Sequence, residues 1–354
     1  MTVFPFNLPG PTATYLGLYL VTLALHFVFM SYVLAGTGYL AISAVRGRDR
    51  ESAVAGILRD WLPFALGTAI TAGVAPLLFL QVLYKEHFYT ANLLLFYRWL
   101  AVVPVLIAGF YLLYLQKSAA VARWSALVRR AIPLAAFVCF AFTAYSWTEN
   151  HLLSLDRAAW TGMYAAGEHS YFSAQLIPRV LFFAALSVPT MCAIIGWQAR
   201  YKGAEASAGT ARHLALIAGL SVLAAGAGLL AYGYILGRDV HQAVTAQVGS
   251  VSAHLGLIVL GGLAQLIAWV RIWRAGELDR RPLWAASVGS AVTILGVLAA
   301  REAVRATAVG ILGLEANHER AAESGGMWVF AVFAVIAIGL IAWCFQMTAR
   351  ALRK

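Results

Sequence analysis

The chain has 354 residues, 62% of them hydrophobic and only 12% charged. That composition excludes an ordinary soluble domain and a disordered chain, and it is the composition of a polytopic membrane protein. A formal net charge of +11 would suit nucleic acid, but the placement of the basic residues excludes that partner and turns the charge into a statement about topology.

A membrane-spanning helix needs about 20 consecutive, mostly apolar residues. Nine such runs occur, near residues 12–45, 58–84, 92–116, 127–154, 174–200, 212–236, 245–273, 282–308 and 326–349. They predict an all-α integral membrane protein in which residues 1–354 form one polytopic domain, a bundle of about nine transmembrane helices. The first run is too long for a cleaved signal peptide and lacks a basic lead-in, so a retained helix is expected. The five segments on the C-terminal side of the membrane hold 18 of the 26 basic residues, from Arg46 in the first to Lys354 in the last. The positive-inside rule then puts the N-terminus outside and the C-terminus in the cytoplasm, in an inner (cytoplasmic) membrane of the bacterial type.

The first run carries one ionisable residue, His26, in Leu25-His26-Phe27-Val28-Phe29. A histidine in a long apolar helix can hydrogen-bond a neighbouring helix, relay protons, or ligate a metal or haem iron. The second run contains Gly67-Thr68-Ala69-Ile70-Thr71-Ala72-Gly73, small residues that let another helix or a flat cofactor approach closely. Tyr84 to Tyr89 read as an interfacial aromatic belt. The third run opens on Phe96-Tyr97-Arg98-Trp99, and the fourth ends in Tyr145-Ser146-Trp147-Thr148-Glu149-Asn150-His151. The segment from there to Gln175 holds Asp156, Arg157, Glu168 and His169 and reads mainly as a solvated loop. Arg179 stands at the start of the fifth run behind Pro178, which suits a first helical turn.

Gly237 to His241 make a brief link, and His254 lies about nine residues into the seventh run. The eighth run ends in Arg301-Glu302-Ala-Val-Arg305. Charges there need partners. Two arrangements are open: the arginines snorkel to the interface with Glu302 paired to one of them, or Glu302 faces the interior and binds something of matching charge. His318 with Glu315 has the spacing of two metal ligands on a helix, but further ligands are missing. Cys139, Cys192 and Cys344 all fall inside apolar runs and read as packing residues. There is no C-x-x-C-H, cysteine cluster, Walker motif, G-x-G-x-x-G or internal repeat, which argues against attached c-type haem, ATP-driven transport and a duplicated carrier.

In this topology His26, His254 and Glu302 lie in the outer half of the bilayer. Glu149, His151, Arg179 and Arg305 stand at the outer ends of their helices. The inner half is nearly free of ionisable groups, an asymmetry that suits a redox site exchanging electrons at the outer face and does not suit a proton channel.

His26-Phe27-Val28-Phe29, the small-residue stretch Gly67 to Gly73 and Glu302-Ala-Val-Arg305, in that order along the chain, resemble subunit I of cytochrome bd quinol oxidase. The resemblance implies a nine-span, N-out fold with haem near the outer face, His26 and Glu302 as candidate iron ligands, and Arg305 or Arg179 against haem propionates. It departs at Phe182, where the family has a ligating histidine. It departs again at His254, which falls near the family's methionine ligand and is a third candidate iron ligand in need of a new partner, and in the third run, which lacks the family's acidic pair. The family's long quinol loop is reduced here to the short link at Gly237. The resemblance therefore implies a haem b-binding subunit of a hetero-oligomeric electron-transfer complex, fed by a cytochrome c or another redox subunit. A cofactor-free structural or docking subunit that kept the fold is the other reading.

Overall fold

The computed structural model describes residues 2–3, 8–47, 52–118, 121, 123–202, 207–235, 251–310, 316, 318–320, 323 and 326–351. The link from Gly237 to His241 and Glu315 lie outside the described residues.

Long helices dominate, as the composition requires: in lipid, backbone N–H and C=O groups must be satisfied within the segment. In chain order they are α1 Gly10–Val45, α2 Ala53–Leu83, α3 Lys85–Leu95, α4 Tyr97–Leu100, α5 Val102–Lys117, α6 Ala126–Leu153, α7 Arg157–Ala166 and α8 Leu176–Lys202. They continue with α9 Ala208–Ile235, α10 Val251–Ala275, α11 Arg280–Val309 and α12 Gly326–Ala351. A two-residue antiparallel pairing of Thr2–Val3 with Leu8–Pro9 precedes α1. Among the described residues eight helices are long and apolar enough to cross a membrane. The helix α12, of 26 residues, covers the last apolar run.

Two four-helix groups emerge from the packing. In the first, α1 lies along α2 and α6, with α5 against α6; in the second, α8 lies along α9, α10 bridges α9 and α11, and α11 returns to α8. The groups meet where α1 packs on α8 and α11. The segments after α1 and α5 come together at one end of the bundle, where a side chain at Gly47 would touch Arg130; those after α8 and α10 meet likewise through Arg212 and Gly276. Those are the basic connections of the sequence. The opposite end carries Tyr84, His151, Arg179 and Arg305, capped by the short helices α3, α4 and α7.

Two local features depart from the sequence reading. The third apolar run is not one helix: α3 stops at Phe96, whose φ of 32° is rare for a side-chain-bearing residue, and a regular helix resumes only at Val102. Pro104 lacks an N–H and its ring crowds the carbonyl four residues earlier, so it fits the first turn of a new helix and not the middle of an old one. The segment read as a solvated loop contains α7, whose N-cap Asp156 accepts from the Ala159 amide and whose last turn closes on Gly167 in the left-handed conformation. Its Met163 is buried, and Trp160 donates to the Leu153 carbonyl at 2.8 Å. Cys192 is buried and Cys139 half-buried, both as free thiols, in keeping with packing roles.

The tightest contact is α10 against α11. Small residues recur every seventh position at Gly261 and Ala268 on one helix and at Gly289, Gly296 and Ala303 on the other, a period that keeps one seam facing the partner. A Cβ at Gly261 would stand 2.5 Å from Thr293 Oγ1 and 2.7 Å from the Gly289 carbonyl, and one at Gly296 would be 3.0 Å from the His254 carbonyl. Alongside, the buried Gln265 donates to Thr293 at 2.9 Å and accepts from Ser290 at 3.0 Å. Gly261→Ala is therefore expected to lower stability by about 1–3 kcal/mol through overpacking. Gly219→Ala, where nothing lies within 4 Å of the added carbon, is expected to be neutral or slightly stabilising. Thermal unfolding in detergent compares the two, and equal midpoints would contradict this account of the seam.

Candidate functional site

The seam of α10 and α11 presents Glu302, in the last third of α11, to the interior between the two helix groups. Its carboxylate is fully buried. Oε1 accepts from the Tyr19 hydroxyl at 3.3 Å and from Arg301 Nη1 at 3.0 Å, and Oε2 accepts from the Tyr84 hydroxyl at 3.0 Å. Arg305, one turn further along α11, reaches Oε1 at 3.3 Å and donates to the Tyr19 hydroxyl at 3.2 Å. Its guanidinium lies over the Tyr84 ring at 4.6 Å and its other terminal nitrogen donates to His151 Nδ1. One carboxylate thus joins residues from α1, α11 and the end of α2, and Arg305 adds the end of α6. The Tyr84 hydroxyl donates to a carboxylate, which only accepts, so it carries its proton here.

Two guanidiniums face this one carboxylate. A third, Arg179 at the start of α8, is also buried and donates to the Tyr232 hydroxyl at 2.9 Å, while Tyr232 donates to Gln175 at 3.2 Å. Arg179 interacts electrostatically with Arg301 and Arg305. The structure therefore brings together Glu302, Arg305 and the field of Arg179.

His26 and His254 stand elsewhere. His26 follows Tyr19 by seven positions on α1, or about 10 Å of helix rise. Its Nδ1 is 2.9 Å from the Ala69 carbonyl, and a Cβ on Gly73 would come within 2.9 Å of its Cε1. A carbonyl only accepts, so Nδ1 carries the proton and Nε2 keeps its lone pair. His254 is buried on α10, beside Gly296 and about 9 Å of helix rise short of Glu302. Phe182 is buried against Gly228 of α9. His318 packs edge-on against Tyr15 with ring centres 4.4 Å apart. Among the described residues no three histidine, cysteine or carboxylate side chains group as metal ligands.

The sequence reading did not identify Tyr19, Tyr84 or the partner of Glu149. Glu149 is fully buried near the end of α6, 3.2 Å from Arg98 Nε, and accepts from the Tyr171 amide at 2.9 Å. Next to it Asn150 donates to Asn92 at 2.7 Å, tying α6 to α3. Tyr171 donates to Asp156 at 2.9 Å, and burial together with that carboxylate pushes its phenol up to about 12. The arginine in Phe96-Tyr97-Arg98-Trp99 and the glutamate in Thr148-Glu149-Asn150 were each visible as charges at helix ends, but nothing in the sequence linked them.

Comparison with known proteins adds nothing to this geometry: no protein-family model and no curated protein sequence matches the chain.

Tyr84→Phe keeps the ring under Arg305 and removes only the hydroxyl that Glu302 accepts from. It is expected to cost about 1.5–3 kcal/mol, as for a hydrogen bond to a charged group, whereas Tyr89→Phe, 44% exposed, is expected to cost nothing measurable. Equal unfolding midpoints for the two variants would contradict the assignment.

A pH effect follows from His87 on α3, which burial and the charges of Arg157 and Arg305 push below its ordinary range against the opposing pull of Glu86. The unfolded chain therefore binds the proton first. The stability supported by neutral His87 is whole above the free value of 6.5 and is lost as pH falls through the lowered folded value. The unfolding midpoint is expected to fall more steeply between about pH 7 and pH 5 in the wild type than in His87→Phe. Parallel pH profiles would refute this.

Proposed function

We propose that this chain is a haem b-binding subunit of a membrane electron-transfer complex, with nine spans, an outside N-terminus and the buried charge cluster toward the outer face. The observation that carries the reading is His26. Its imidazole sits half-buried inside a helix bundle with one ring nitrogen donated to a backbone carbonyl, the arrangement that fixes a metal-ligating histidine and leaves the other nitrogen for the metal. The small residue at Gly73 gives that ring its space. The guanidinium excess at Arg301, Arg305 and Arg179 matches the two carboxylates of a haem, which Arg pairs bidentately. His26 Nε2 is the candidate iron ligand from this chain and His254 the second candidate. Glu302, with both oxygens already accepting, enters as the counter-charge that holds the arginines. When bound, haem supplies a reversible one-electron couple. The chain's own residues orient it, offset its charge and exclude water.

The partner in this reading is a cytochrome c or another redox subunit docking at the outer face, in an inner membrane of the bacterial type. The basic connections at the opposite end support that orientation. Cysteine labelling of Ala166→Cys from outside and Ala204→Cys from the cytoplasm tests it, and reversal of both would overturn it.

A second reading, a cofactor-free docking subunit, is favoured by one observation: Glu302 is saturated by partners within the chain. An optical spectrum of the full chain, purified after expression in a haem-replete host, separates the two. The haem reading expects a Soret band that His26→Ala removes or shifts and Phe182→Leu leaves in place. No Soret band would overturn it and leave the docking reading, and a band unmoved by His26→Ala would overturn His26 as the iron ligand.

A further inference from the structure

Beside the charge cluster, toward the capped end of the bundle, lies a small cavity of about 20 Å³, lined among others by Tyr84, His87, Asn150, His151, Arg301 and Arg305. Its charged lining consists of the donors Arg301 and Arg305, with His87, His151, Asn150 and Ser154 beside them. Arg305 is a permanent donor, so His151 Nδ1, which it contacts, must be an acceptor. A neutral imidazole that accepts at Nδ1 carries its proton on Nε2. That Nε2–H is buried and has no partner among the described residues, and the same holds for the Nε–H of Arg305 and for Nδ1 of His87. Both histidines are only 6% exposed. The described lining contains no carboxylate, and Glu302, the nearest, already has both oxygens occupied.

Buried donors with no acceptor are costly, and so is a net positive charge taken out of water. Two guanidiniums against one carboxylate leave such a charge here, and Arg179 adds to it. The remedy is an acceptor that carries negative charge and is small. A volume of this size holds about one water-sized body, so phosphate esters and organic acids do not fit. We infer that this cavity binds a single halide-sized monovalent anion, held by His151 Nε2–H and Arg305 Nε–H and walled by His87. The inference draws on the same arginine excess as the haem reading but on neither His26 nor His254, so the chloride titration and the optical spectrum fail separately.

The test is a chloride titration of the purified full chain in detergent, with gluconate replacing chloride at constant ionic strength. The unfolding midpoint is expected to rise saturably, by about 3 °C at chloride well above the dissociation constant. His151→Phe is expected to lose the dependence. A midpoint indifferent to chloride, or a dependence that survives in His151→Phe, would overturn the inference. Should His151→Phe fail to fold, crystals of the wild type grown in bromide decide it. An anomalous peak within hydrogen-bonding reach of His151 Nε2 and Arg305 Nε supports the site, and a map showing water only overturns it.

Discussion

A carboxylate in a low-dielectric interior has to be compensated, and the end of this bundle is arranged around that need. Glu302 is fully buried, and its desolvation costs several kcal/mol before anything is gained. A guanidinium about 4 Å away returns about 4 kcal/mol at an effective dielectric constant near 20, so one arginine roughly balances the cost. The chain supplies two arginines and two phenols, and these come from α1, α11 and the end of α2, with α6 held through His151. Such a cluster adds little net stability. It fixes which helix ends lie together, because removing any member leaves a buried charge or donor exposed to nothing.

Packing and chemistry are linked through α11. The seven-residue run of small positions that seats α11 on α10 also sets the face on which Glu302 and Arg305 project. The same helix touches α1, so Tyr19 meets Glu302 while His26, two turns deeper, meets α2 instead. The result is a graded interior: a charge cluster at one end, single histidines deeper in, and toward the basic end apolar packing with uncharged polar pairs such as Gln265 with Thr293 and Ser290. An electron-transfer subunit needs that grading, with anion-pairing groups near an accessible face and a lone ligand in a dry region. A docking subunit needs only the first of these. His26 is therefore the residue on which the two functional readings divide.

Hydropathy made the spans legible, since each must be long and apolar whatever it packs against. It did not show where the third apolar run breaks, because Leu93 to Leu106 is apolar apart from Arg98 and only Pro104 marks the start of the new helix. The caps of α7, Asp156 and Gly167, and its amphipathic stripe were readable, but ten residues are too few for such a pattern alone to stand apart from a loop. Of the site, Glu302, Arg305 and Arg179 were evident as charges out of place. Their phenolic partners were not, because Tyr19 and Tyr84 look like any membrane-embedded aromatics, and Tyr19 is 283 positions from Glu302. Arg301 shows the same limit. Either sequence arrangement, snorkelling or inward-facing, was compatible with its spacing, and only the packing of α1 against α11 turns Glu302 inward, with Arg301 and Arg305 themselves as its partners.

The central claim, that Glu302 and Arg305 are energetically bound to each other inside the bundle, is tested most directly by a double-mutant cycle with Glu302→Gln and Arg305→Met in detergent unfolding. Each single replacement is expected to cost about 3–5 kcal/mol, because it strands a buried charge. The double replacement is expected to cost less than the sum by about 2 kcal/mol or more. Losses that simply add, within about 0.5 kcal/mol, would show that the two side chains do not depend on each other and would contradict the account.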